Sequence, residues 1–236
     1  MKNVWIAAIG SAAAAAAGMA WAVRSPRSTL LAPSIYRGDP ARNSIALTFD
    51  DGPSESTPRI LEILARYDAR ATFFQCGANA RRLPAIARQV AAAGHEIGNH
   101  SYSHPMLHFK SRDFIHRELA DAQSALSDCI GSAPKWFRAP YGVRWFGLRH
   151  AQRRNGLEGV MWTVIARDWT LPAEAVAARL LSKTAPGAIV CLHDGRVTSR
   201  NPDISVTLEA LGKALPMWRE RGFQFETVSQ IICKRN

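Results

Sequence analysis

A chain of 236 residues is long enough for one full-sized domain, and 47% apolar with 21% charged residues excludes a disordered or fibrous polymer. Lys plus Arg number 30 against 19 Asp plus Glu, a formal net charge of +11 that draws a protein toward anionic surfaces such as cell wall or membrane. The basic residues are spread along the chain, densest at Arg144, Arg149, Arg153 and Arg154, with no nucleic-acid-binding motif, so nucleic acid is not an expected partner and a plain solvated basic surface stands as the simple alternative.

In chain order, Lys2 precedes an apolar run from Val4 to Val23 that ends at Arg24. The charged start, the apolar stretch and the small-residue pattern Ala20-Trp21-Ala22 predict a signal peptide over 1–23, with an N-terminal membrane anchor as the alternative. Either form predicts an exported protein: periplasmic, cell-envelope or secreted. Residues 24–43 hold Pro26, Pro33, Gly38 and Pro40 and read as a linker, which leaves 44–236 as the catalytic domain. Strands are predicted at Ile45–Phe49, Ala71–Gln75, Glu96–Asn99, Trp136–Arg138, Val160–Val164, Ala188–Leu192 and Gln224–Thr227. Helical periodicity occupies 59–67, the stretch up to Ala93 before Gly94, 113–126, 173–181 and 207–221. This alternation predicts an α/β fold with a parallel sheet, closed as an irregular barrel or left open. Of the four cysteines, Cys76 and Cys191 fall in apolar runs and read as buried free thiols; the pairing of Cys129 and Cys233 stays open.

Polar residues gather where the predicted strands end. Asp50, Asp51, His100, Arg138, Asp168 and His193 all sit at or just past a strand's C-terminal end, the edge that carries active sites in such folds. Asp50 and Asp51 precede Gly52-Pro53, and two adjacent carboxylates repel unless a cation or cationic group lies beside them; a simple turn pair is the competing reading. His100 and His104 are four apart, a spacing that on a helical turn aims both imidazoles one way, and two imidazoles plus a carboxylate form a common metal shell. His193 ends an apolar run and suits a general acid or base, with Asp168 placed to orient it.

Taken in order, Thr48-Phe49-Asp50-Asp51-Gly52-Pro53, His100-Ser101-Tyr102-Ser103-His104, Arg138-Ala139-Pro140-Tyr141-Gly142, Asp168-Trp169 and Leu192-His193 resemble the motifs of the polysaccharide deacetylases, carbohydrate esterase family 4. The resemblance spans residues 44–228. It implies a distorted (β/α) barrel of about seven parallel strands holding one divalent metal ion, usually zinc, with cobalt or another divalent ion as alternatives. It implies Asp51, His100 and His104 as metal ligands, Asp50 as catalytic base, Arg138 as its partner and His193 as general acid modulated by Asp168. Tyr141 would offer its backbone N–H to the oxyanion, and Trp169 and Leu192 would line the acetyl-methyl pocket. One departure is visible: Ile165 stands where the family often has a further Asp. The expected activity is removal of N-acetyl groups from N-acetylglucosamine-type residues of an acetylated glycan. The alternatives are deacylation of a lipid-linked sugar or small amide and, less favoured, a non-catalytic sugar-binding protein.

Overall fold

Side-chain alternation along the strands decides what each face of the sheet buries. In the computed structural model, which describes residues 2–232, β2 (Ser44–Asp50) and β8 (Ala188–His193) are the central parallel pair, in register from Ile45↔Ala188 to Asp50↔His193. Ile45, Leu47 and Phe49 of β2 and Ala188, Val190 and Leu192 of β8 face one side, where they join the main hydrophobic core. Burying each large side chain in that core contributes about 1.5–3 kcal/mol. β3 (Ala71–Gln75) and β4 (Glu96–Asn99) extend the sheet from β2, followed by β5 (Trp136–Phe137) and β6 (Glu158–Val160). β1 (Ser34–Ile35) closes that end, β7 (Val164–Ile165) lies beyond β8, and β9 (Gln224–Phe225) joins β2. All pairings between these strands are parallel.

The sheet curls into a half-barrel, and the chain itself crosses the seam. Met161 N–H donates to Ile35 O on one margin, at 2.7 Å, while Thr163 N–H donates to Ile189 O on the other, at 3.0 Å. The stretch predicted as one strand, Val160–Val164, is therefore split into β6 and β7. That split and β1 account for nine strands where seven were expected. Residues 24–43, expected as a linker, are packed around their middle: β1 pairs with β6, and Ala32 is buried against Phe137, Leu148 and Leu157.

Helices cover the outer face. α2 (Thr57–Arg66) begins with Pro58 in its first turn, and α7 (Ala173–Lys183) and α8 (Ser205–Glu220) pack on each other over the main core. α3 (Gly77–Arg82) and α4 (Pro84–Ala92) lead to α5 (Arg112–Ile130), whose Ser111 Oγ accepts the Phe114 N–H at 3.2 Å and whose C-cap Gly131 has φ 75°. α6 (Leu148–Arg154) packs on α5, and α9 (Val228–Ile232) ends the described chain. Neither α6 nor α9 was predicted. At the other end, α1 (Lys2–Arg24) contains the Ala-rich run; residues 13–21 of it are exposed, and Ala22 is buried. Among the described residues, no helix is long and apolar enough to cross a membrane. Cys76, Cys129 and Cys191 are free thiols, the first and last buried as expected; Cys233 lies outside the described residues.

Candidate active site

The second face of the same strands builds the site. Thr48 and Asp50 alternate with the core residues of β2, and Cys191 and His193 with those of β8. The β2–β8 register sets Asp50 beside His193 and Thr48 beside Cys191. These ends open into a cleft of about 370 Å³ lined by Asp50, Asp51, His100, His104, Tyr141 and His193, with Trp162, Ile165, Trp169 and Cys191 among its further walls. Sequence spacing had brought this group to one edge, and the structure unites it.

Asp51 Oδ1 lies 3.4 Å from His100 Nε2 and 3.0 Å from His104 Nε2. His100 Nδ1 is 2.8 Å from Arg138 O, a carbonyl that only accepts, so Nδ1 carries a proton there. In a neutral imidazole the Nε2 lone pair then points at the carboxylate, acceptor against acceptor. Asp51 Oδ1 is buried with no hydrogen-bond donor. A cation between these three atoms resolves the conflict, and one carboxylate with two imidazoles is a fitting donor set for a divalent ion. Burial alone would raise the Asp51 pKa, but the two imidazoles, in their protonated donor form, outweigh it and hold the carboxyl well below its ordinary range. Its other oxygen accepts the Val197 N–H at 2.8 Å.

The loop between the two histidines is not helical, as the spacing had suggested. Ser101 and His104 have φ of 63° and 59°, and Asn99 Oδ1 accepts the Ser101 N–H at 2.9 Å. Glu118 of α5 takes the N–H groups of Tyr102 and Ser103 at 3.0 and 2.8 Å and the Ser103 hydroxyl at 2.8 Å. A single α5 side chain, Glu118, thus fixes the loop's shape.

Asp50 has a different environment from its neighbour. Its Oδ1 accepts from Arg138 Nη1 at 2.7 Å, and the Cys191 thiol lies 3.4 Å from Oδ2. Arg138 is fully buried; it also donates to Thr48 Oγ1 at 2.7 Å and Met161 O at 3.2 Å, and its guanidinium sits 4.1 Å over the Phe74 ring. Opposite, His193 Nδ1 is 2.8 Å from Asp168 Oδ1, and the other Asp168 oxygen accepts the His193 N–H and the Thr207 hydroxyl at 2.9 and 2.7 Å. Burial would lower the His193 pKa, but the Asp168 carboxylate, with Asp51 and Asp50 behind it, pushes it up to about 9. The imidazolium form therefore prevails at neutral pH.

The remaining predicted residues divide. Tyr141 is half exposed, has φ 57°, and stands edge-on to His104 at 4.7 Å; Gly142 and Val143 donate back to Ala139 O and Pro140 O, leaving the Tyr141 N–H outside the turn's hydrogen bonds. Trp169 stands at right angles to His193, 4.9 Å away. Leu192 is a correction: it is fully buried in the main core, because alternation along β8 turns it away from the cleft and turns Cys191 toward it. Sequence reasoning had left Cys191 as an ordinary buried thiol and had missed Glu118 and Val197. Nothing in a single sequence marks Val197. Glu118 sits on the partly buried face of α5 among apolar neighbours, which was a readable signal.

Comparison with known proteins follows from this geometry. A family pattern described as polysaccharide deacetylase matches residues 37–160. A chitooligosaccharide deacetylase of Sinorhizobium fredii is 36% identical over 87% of this chain and 94% of its own length. A crystal structure of a peptidoglycan N-acetylglucosamine deacetylase superposes with a TM-score of 0.78 at 32% identity, over 84% of this chain and 91% of that one. A family 4 pseudoenzyme from Bacillus anthracis superposes with a TM-score of 0.76 at 30% identity, over 85% and 69% of the two chains.

Proposed function

The chain belongs to the polysaccharide deacetylase family, and on that premise we propose that it hydrolyses N-acetyl groups of N-acetylglucosamine-type residues in a chitin-like or peptidoglycan glycan, releasing acetate. The observation that carries this reading is the juxtaposition of a buried Asp51 oxygen, the His100 lone pair, the His104 ring, an Arg-held carboxylate and a protonated histidine around one cleft. Asp51, His100 and His104 would hold a divalent ion, with zinc as our reading; when bound, it supplies a Lewis acid that acidifies water and polarises the acetyl carbonyl.

The chain's own groups do the rest. Asp50 takes the proton of the attacking water, and its bond to Arg138 keeps the carboxylate aimed into the cleft. The Tyr141 N–H donates to the developing oxyanion, and removing such a donor typically costs about 3–4 kcal/mol of transition-state stabilisation. An amide nitrogen leaves only once protonated, and His193, held through Nδ1 by Asp168, presents the other side of its ring to supply that proton. Trp169, Cys191 and Ile165 bound the space for the acetyl methyl. We further read residues 1–23 as an export segment, consistent with a glycan substrate in the cell envelope.

Acetate release tests the reading. Metal-stripped full-length protein is assayed with and without zinc on chitooligosaccharides, peptidoglycan and an aryl acetamide, beside Asp50→Asn. Zinc-dependent release that Asp50→Asn abolishes is expected. Stoichiometric metal binding without release on any substrate points to a binding role or a lipid-linked sugar. Failure to bind metal removes the site assignment.

A further inference from the structure

Away from the cleft, exposed apolar side chains gather on one face around the foot of α1. Phe109 is 80% exposed and Leu30 69%, and Met19, Trp21 and Phe146 are also exposed. All of these but Trp21 form a connected surface. Phe109 stacks edge-on with Trp145 at 4.8 Å and Trp145 with Phe146 at 5.1 Å; Phe146 then shares a cleft of about 560 Å³ with Met19, Leu30 and Leu31. The rest of that cleft is Arg112, Gly147, Arg149, His150 and Arg153, with no acidic residue in its lining.

The surface is firmly built. Arg149 donates to the carbonyls of Thr29 and Leu30 at 3.0 and 3.2 Å, which pins the exposed Leu30 beside α6. The buried Arg144 holds the carbonyls of Ser25 and Ser28. Exposed aliphatic and aromatic groups are thus fixed in place within a ring of cations, and a soluble monomer rarely spends a contiguous patch that way without an occupant.

We propose that this face seats the domain on an anionic lipid bilayer, with Phe109, Phe146 and Leu30 dipping into the headgroup boundary and Arg112, Arg149 and Arg153 pairing with lipid phosphates. Charge complementarity selects this occupant: the cleft lining sets three arginines and no acidic residue beside its apolar groups, and the chain carries +11 overall. Aromatic rings flanked by arginines suit the zone where hydrocarbon meets headgroups. The three arginines beside aliphatic Leu30 and Met19 favour a lipid headgroup boundary over a glycan, which the rings of Phe109 and Phe146 alone would suit. The exposed stretch of α1 leaves the domain from this same face, so the patch and the helix meet one surface together. The proposal is independent of what the catalytic cleft hydrolyses.

Cosedimentation of the full chain with vesicles tests it. Vesicles of phosphatidylglycerol mixed with phosphatidylcholine are compared with phosphatidylcholine alone, for the wild type, Arg112→Glu/Arg153→Glu and Phe109→Ser/Phe146→Ser. Expected are binding to the anionic vesicles that weakens with salt, at least tenfold weaker binding by each double variant, and unchanged hydrolysis of a soluble acetylated oligosaccharide or, should none be hydrolysed, unchanged circular dichroism. Equal binding by wild type and both variants would assign membrane affinity to α1 alone and overturn the proposal. So would equal binding to both lipids. Absence of vesicle binding, with binding to an insoluble acetylated glycan lost in the Phe109→Ser/Phe146→Ser variant, would reassign the face to the polymer and overturn it as well.

Discussion

At the scale of single residues, two neighbouring carboxylates have been given opposite tasks by what surrounds them. In the proposed mechanism Asp51, beside two imidazoles, takes a cation, and Asp50, held by a guanidinium, takes a proton. Removal of His193 as His193→Ala should lower kcat by about 10²–10⁴-fold, the usual contribution of general acid–base catalysis, measured by acetate release. The sign of the pH dependence follows from Asp168. His193 must be protonated to act, so activity is lost as pH rises through its pKa, about 9. Asp168→Asn removes the carboxylate that holds that value up, and the alkaline limb of the kcat/KM profile should move to lower pH; an unmoved limb would assign it to another group. Cys191 adds a smaller term. Cys191→Ala removes a weak thiol hydrogen bond to the Asp50 carboxylate, which at about 0.5–1.5 kcal/mol predicts a loss in kcat of about two- to tenfold.

Elements carry the shape that single residues cannot. The strand ends from β2 to β8 deliver Asp50, His100, Arg138 and His193 to one edge, and this was legible because apolar runs ended at polar residues each time. Leu192 was misassigned because a run of consecutive apolar residues hides its own alternation: only the pairing of β8 with β2 shows which side faces the cleft. The helical turn considered for His100 to His104 does not form, because i,i+4 spacing is shared by a helix and by a loop bent through left-handed residues. What bends it is Glu118, fourteen residues further on and on a different element. Glu118→Ala frees two backbone N–H groups and should weaken zinc affinity by about 10–100-fold, as loss of an outer partner of a metal site generally does. Competition with a chromogenic chelator measures this directly.

On the scale of the whole molecule, the site doubles as a weak seam in the fold. A buried acceptor facing acceptors is a debt the apoprotein carries, and a ligand that binds only the folded state raises its stability, by about 2.7 kcal/mol at a hundredfold excess over Kd. Chelation should therefore lower Tm, and zinc should restore it in a concentration-dependent manner; equal Tm values with and without chelator would argue that the three atoms hold no ion. Nine strands where seven were foreseen have the same kind of origin as the shape of that loop. β1 is two residues long, with only intermediate burial, and β6 and β7 are separated only by the three residues that cross the barrel seam. Such short segments have too few residues to show a period, and their pairing depends on partners far along the chain.

Arg138 serves the two halves of the site through different chemistry. Its guanidinium belongs to the base, while its main-chain carbonyl fixes the tautomer of His100. Genetics reaches only the first of these. Arg138→Met would take the cation from the buried Asp50 carboxylate, at a cost in stability of about 3–5 kcal/mol, yet keep the carbonyl that orients the imidazole toward the proposed metal. Loss of activity and loss of metal are thereby separable within one position, and an inactive descendant of this chain could go on carrying its ion unchanged.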